Sequence, residues 1–397
     1  MTKLKKIYFL FTFWVAVNGY AQNAIPVAEI PFELEGNHIF IQLTINHSEQ
    51  LDFVFDTGAG STVINSETAK KLNFAASKTT TTTGASGKTQ SSIIKKKSVQ
   101  LESIELDKID LLSVPLSHLE RSIGKDIDGI IGYDLLKKYV TEIDHNNSKL
   151  MFYESKSYEY QGSGELVRID IGDVPTAVFQ IILKDGTYVN EEFLLDTGAS
   201  GTISFTSPFS KRSQIMNKID KTYSNNSRGL SANVAQVEVG RIKNLKILGF
   251  EFENIPVSIY DTEVGFFASK KIAGIIGNEV LKRFNITFDY KRKKTYWVEN
   301  KQYINEPFYV QNSGLTFSLN SNKSKVIIDH IIPNSSGAKS ELKIGDEIIE
   351  IDGVKAVDSS LETIRKLLRT QSGKTVKIIY RRADTEKELL LSLEPLI

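Results

Sequence analysis

The sequence predicts a mainly β protein, two homologous β lobes followed by a smaller α+β domain, and three observations carry that prediction. An apolar strand, Leu51-Asp52-Phe53-Val54-Phe55, runs straight into Asp56-Thr57-Gly58-Ala59, and 140 residues later Glu192-Phe193-Leu194-Leu195 runs in the same way into Asp196-Thr197-Gly198-Ala199. Gly129-Ile130-Ile131-Gly132 with the apolar Leu135-Leu136 behind it returns as Gly274-Ile275-Ile276-Gly277 with Val280-Leu281, and Thr141 to Asp144 returns as Ile286 to Asp289. Repetition of several segments in one order is the mark of an internal duplication. Beyond Asn300 neither motif recurs, and the alternation of apolar residues changes character.

A chain of 397 residues with 41% hydrophobic and 24% charged residues supports two or three domains with proper cores. Its 49 basic residues stand against 48 acidic ones. Such a balance provides no field for nucleic acid or for an anionic membrane surface. Lys3, Lys5 and Lys6 precede an apolar run from Ile7 to Val17, with Gly19-Tyr20-Ala21 after it. That pattern reads as a cleaved secretory signal over residues 1–21, with the mature chain starting near Gln22 and no stable membrane anchor after cleavage. The expected location is the periplasm or the extracellular space. With no cysteine, a disulfide framework, a thiol nucleophile and a lipid-bearing cysteine are all excluded.

In order along the chain, Ile39, Ile41, Leu43 and Ile45 alternate with Phe40, Gln42 and Thr44 as a strand leading to the first acid. Ser66, Glu67, Ala69 and Leu72 predict a short capped helix. The polar stretch 77–92, with Gly84-Ala85-Ser86-Gly87 at its centre, predicts a mobile hairpin, and Gly229-Leu230 stands at the matching place in the second half. Lys95-Lys96-Lys97 reads as a solvated edge strand. Glu154 to Gly164 is polar enough to separate the lobes. In the second half Asp185-Gly186 turns a hairpin, and Ser207-Pro208 reads as a helix N-cap with proline at the first helical position. The resulting division is lobe 1 over 22–158, lobe 2 over 159–300 and a third domain over 301–397.

Two Asp-Thr-Gly turns, each followed by Ile-Ile-Gly and a short helix, resemble the aspartic peptidases of the retroviral and pepsin type, with both halves in one chain. The resemblance covers most of residues 28 to 300 and implies two acid-protease-like β-barrel lobes. It implies an endopeptidase in which Asp56 and Asp196 are catalytic, Thr57, Gly58, Thr197 and Gly198 support the active turns, and Gly84, Ala85, Ser86, Gly87, Gly229 and Leu230 form flaps over the substrate. Ala59 and Ala199 stand where pepsins usually have serine or threonine and follow the retroviral pattern. Ser313-Gly314-Leu315-Thr316-Phe317, then Pro333 to Ala338 and Ile344-Gly345-Asp346 through Asp352-Gly353, resemble a bacterial PDZ domain. That resemblance implies a peptide-binding loop at Gly314, Leu315, Thr316 and Phe317, beside a helix over 361–368.

Chemistry supports the pairing. Two carboxylates held together cannot both ionise comfortably, so one acid and one base coexist, an arrangement for which aspartic peptidases are a standard illustration. No cofactor or metal is expected, because His38, His47, His118, His145 and His330 show no ligand spacing and read as turn or surface residues. The expected partners are a peptide or protein substrate and a peptide ligand of the PDZ groove. The alternative from a different class is an inactive peptide-binding scaffold that keeps the peptidase fold.

Overall fold

The computed structural model describes residues 24–85, 87–369 and 373–397. The signal over residues 1–21 and Ser86 fall outside the described residues. Among the described residues, no helix is long and apolar enough to cross a membrane.

Each lobe is an eight-stranded sheet, and the two have the same strand order. In lobe 1 the order runs Glu33–Glu35, His38–Ile45, Leu51–Phe55, Gly129–Ile131, Val63–Asn65, Ile104–Val114, Gly87–Leu101, Lys78–Gly84. In lobe 2 it runs Asp170–Ile171, Pro175–Ile182, Tyr188–Asp196, Gly274–Gly277, Ile203–Phe205, Phe250–Tyr260, Val234–Ile247, Tyr223–Arg228. An extra pairing in each, Thr44 and Ile45 with Gln100 and Val99 and its counterpart Gln180–Ile182 with Asn244–Lys246, curls the sheet back on itself. The strands form because alternate residues are apolar: Ile39, Ile41, Leu43 and Ile45 all point into the core and are buried.

A six-stranded sheet joins the lobes. Tyr139–Asp144 pairs antiparallel with Phe284–Asp289, through Thr141 with Phe288 and Ile143 with Ile286. The repeated segments thus meet each other about the duplication axis. One apolar core runs through both lobes and this sheet, from Ile39 and Phe53 to Phe193, Phe284 and Trp297. Asn37 adds a polar clasp: its side chain donates to the Ser200 carbonyl at 3.0 Å and to Glu279 at 2.7 Å, and it accepts from Lys282 at 3.1 Å.

The third domain has its own core, with Leu315, Phe317, Ile328, Ile348, Ile364 and Tyr380 at its centre. Its sheet runs Leu315–Leu319, Val326–Ile331, Glu347–Ile351, Thr375–Arg382, Thr385–Ser392, so Leu315–Leu319 is an edge strand. The helix Leu361–Leu367, capped by Ser360, packs beside that edge. The segment reaching this domain is pinned to lobe 2. Arg283, fully buried, donates to the carbonyls of Tyr303, Ile304 and Glu306 at 2.9, 3.3 and 2.6 Å and stacks 3.7 Å from the Phe308 ring.

Several local expectations shift. The cap of the helix Ser66–Lys71 is Asn65, whose side chain accepts from the Glu67 amide, and the cap of Ser207–Arg212 is Thr206. Ser207 instead accepts from the Thr262 amide, a long-range partner that spacing does not reveal. Lys95-Lys96-Lys97 lies at a bulge in an interior strand, where Asp110 pairs with Lys95 at 2.7 Å and accepts the Lys96 amide. Two histidines are not surface residues: His145 packs edge-on against Phe32 and Tyr303, and burial lowers its pKa to about 3. His38 lines the cleft described next.

Candidate active site

The two Asp-Thr-Gly turns meet at the lobe interface. Each is delivered by a strand that lies parallel to its Ile-Ile-Gly segment: Phe53, Val54 and Phe55 beside Gly129, Ile130 and Ile131, and Phe193 to Asp196 beside Gly274 to Gly277. The Asp56 amide donates to the Ile131 carbonyl at 2.9 Å, and the amides of Tyr133 and Asn278 close on the carbonyls of Ala59 and Ala199. The last glycine of each segment must be glycine. A Cβ on Gly132 would come within 1.8 Å of the Asp56 carbonyl oxygen, and one on Gly277 within 2.3 Å of the Gly201 carbonyl oxygen.

The threonines grip across the interface. The Thr57 amide donates to Thr197 Oγ1 at 3.0 Å and the Thr197 amide donates to Thr57 Oγ1 at 3.1 Å. The hydroxyls in turn donate to the opposite strands, Thr57 to the Leu195 carbonyl at 2.7 Å and Thr197 to the Phe55 carbonyl at 3.1 Å. Both residues are fully buried, so all four bonds lie in a low-dielectric interior.

This grip brings Asp56 and Asp196 side by side on the floor of a cleft. The carboxyls hydrogen-bond each other, and each also accepts the amide two residues on, Gly58 at 2.7 Å and Gly198 at 2.9 Å. Gly58 and Gly198 lie flat against the opposite acid, where an added Cβ would come within 2.6 and 2.3 Å of its carboxyl carbon. Burial pushes both carboxyls above the usual range, and the neighbouring Asp56 charge adds to this at Asp196. The pair therefore keeps one proton at a pH where ordinary carboxylates have lost theirs.

Above the acids the cleft has a volume of about 620 Å³. Its roof is made by both predicted flaps. The hairpin of Lys78–Gly84 and Gly87–Leu101 meets the hairpin of Tyr223–Arg228 and Val234–Ile247 tip to tip, so that a Cβ on Gly229 would lie 2.9 Å from Ala85 Cβ and one on Gly84 3.2 Å from Leu230 Cβ. Each tip packs on the opposite lobe: Leu230 against Val54, Val63 and Leu116, and Ala85 against Leu194, Val237 and Tyr260. These two apolar clusters flank the acids as side-chain pockets.

Other residues in or around the cleft carry no motif. His38, burial of which lowers its pKa to about 4, presents a buried Nδ1 without a partner. Tyr290 stands near enough to both acids for their charges, after burial, to raise its phenol further, and its hydroxyl is also unpartnered. Gly265, with φ +74°, brings its loop against the carbonyls of Gly84 and Ala85. In the third domain, Leu315 and Phe317 are core residues, and Ser313 Oγ accepts the Leu315 amide at 3.1 Å. Gly314 is buried, and of the four loop candidates Thr316 alone lines a cavity among those described.

Comparison with known families agrees with this architecture. Residues 41–135 and 181–280 match the aspartyl protease family model, and residues 313–393 match the PDZ domain model. A search of curated proteins finds no match.

Proposed function

We propose that this chain, built of two aspartyl-protease segments and a PDZ domain, is an exported endopeptidase that hydrolyses internal peptide bonds with Asp56 and Asp196 as its catalytic pair. A water between the carboxyls loses a proton to the ionised acid as its oxygen attacks the scissile carbonyl carbon. The protonated acid gives its proton to the carbonyl oxygen, so a neutral tetrahedral diol forms. Collapse of the diol returns a hydroxyl proton to one carboxylate, the other delivers its proton to the leaving nitrogen, and the C–N bond breaks. The pair regains its single proton with each turnover.

One observation carries the reading: two acids, 140 residues apart, share hydrogen bonds at the floor of a roofed cleft. The cleft of about 620 Å³ has room for a short stretch of peptide, and the apolar clusters on either side of the acids favour apolar side chains flanking the cut bond. Export to the periplasm or extracellular space is supported by Lys3, Lys5, Lys6 and the apolar run behind them. The PDZ domain serves peptide or substrate recognition.

The test is mass spectrometry of a protein mixture incubated with the mature chain and with its Asp56→Asn and Asp196→Asn variants. New internal cleavages are expected with the native chain alone. Cleavage retained by either folded variant overturns the pair.

A further inference from the structure

The PDZ domain stands beside the active-site cleft. A second cavity of about 260 Å³ lies where the two lobes and the PDZ domain meet. It shares His38, Ser122, Ile123, Ser200 and Asn225 with the cleft wall, so the two cavities adjoin. At its far side stand Thr316 from the edge strand and Glu362 and Arg365 from the groove helix. The lobe 1 helix Ser117–Ile123 holds this geometry. It packs on the edge strand and ends at Gly124, in a left-handed conformation against Leu361, while His118 Nε2 donates to the flap carbonyl of Gly229 at 2.9 Å. Lys323 with Glu120 and Arg228 with Asp329 pin the same junction.

Among the described residues Arg365 makes no close ion pair. Its Nη2 donates to the carbonyls of Ser122 and Phe317, the latter at 2.9 Å, which leaves Nη1 and Nε unused. Among the described residues no carboxylate comes within 4.0 Å of it: Glu362 is taken by Arg369 at 2.8 Å and Asp329 by Arg228 at 2.8 Å. Burial lowers the guanidinium to about 10, so it stays charged at physiological pH, with Glu362, Glu35 and Asp329 supporting that charge only from beyond 4.0 Å. On the shared wall His38 is held neutral and offers no competing charge.

We propose that Arg365 is a carboxylate-recognition subsite for the substrate: a peptide bound across the two acids extends one flank from the cleft toward this adjoining cavity, where Arg365 takes an acidic group. The carboxylate belongs either to an Asp or Glu side chain or to the free C-terminus of the chain being cut. The inference rests on the peptidase reading for its substrate and on the adjoining cavities for its place.

The experiment uses the full chain and peptides cleaved by it, made as twins. At each position of either flank Glu is exchanged for Gln, and a separate pair differs only in a C-terminal acid or amide. The expected result is one position at which the acid twin has kcat/KM at least roughly tenfold above its neutral twin, the size of a charge-assisted hydrogen bond. The Glu/Gln arm and the acid/amide arm tell the two sources apart. In Arg365→Gln that ratio falls to about one, and in Arg365→Lys part of it returns; a ratio between twins cancels any general loss from disturbed docking. Equal cleavage of all twins by the native chain overturns the subsite even if Arg365→Gln does not fold, and so does a preference that survives Arg365→Gln. Binding of labelled twins to the Asp196→Asn chain reads the subsite without turnover. There, acid preference with no cleavage by the native chain defeats the peptidase reading alone, and cleavage without acid preference defeats the subsite alone.

Discussion

Deleting one hydroxyl from the threonine grip should cost the protein both stability and turnover. Thr57→Val keeps the shape and removes two bonds, the donation to the Leu195 carbonyl at 2.7 Å and the acceptance from the Thr197 amide at 3.1 Å. Each is worth about 1 kcal/mol net, and the orphaned amide and carbonyl, in a fully buried site, cost about 1–3 kcal/mol more between them. The expected loss is therefore about 3–5 kcal/mol. Urea unfolding of the full chain followed by Trp297 fluorescence measures it, because that indole is buried in the strand Lys294–Glu299 of the sheet joining the lobes. Thr57→Ser, which keeps the hydroxyl, should lose much less. In the double variant with Thr197→Val the losses should not add, departing by about 0.5–3 kcal/mol because both act on one interface. Turnover should fall in kcat more than in KM, since the grip aligns the acids rather than the substrate. A loss under about 0.5 kcal/mol in Thr57→Val would refute the reasoning that these bonds hold the lobes in register.

Two further outcomes follow from burial. Because both acids have folded pKa values raised by burial, their contribution to stability is full below the unfolded carboxylate pKa and is lost as pH rises through the folded values. Asp196→Asn, which cannot ionise, should therefore melt higher than the native chain at about pH 8 and level with it at about pH 4, read by thermal unfolding; the reverse order would show that the pair ionises freely. Arg283→Met should destabilise by about 3–5 kcal/mol, since Glu279 and three carbonyls lose a buried cation, and should speed hydrogen exchange over residues 300–308; a loss under about 1 kcal/mol would sink that account.

What the sequence determined by itself is what local pattern and duplication encode. Alternation of Ile39, Ile41, Leu43 and Ile45 is enough to make a strand, and two copies of Asp-Thr-Gly, each with its Ile-Ile-Gly, are enough to expect a symmetric pair of turns. The equivalence of the hairpin tips at Gly84 and Gly229 was legible for the same reason, since a repeat marks matching places in both halves. Helix caps were legible only to within a residue: Asn65 caps in place of Ser66 by accepting the Glu67 amide, and Thr206 takes the cap position before Ser207 without a side-chain capping bond. The tertiary structure alone decided everything that depends on surfaces far apart in the chain. The crossing of Leu230 and Ala85 onto opposite lobes, the burial of His38, and the placement of Arg365 across from Ser122 leave no periodicity and no spacing in the sequence. Arg365 reads there as one more cation on a helix. Only the docking of that helix on lobe 1, which sets Arg365 beside Ser122 with no described carboxylate within 4.0 Å, makes it the place proposed for a substrate carboxylate.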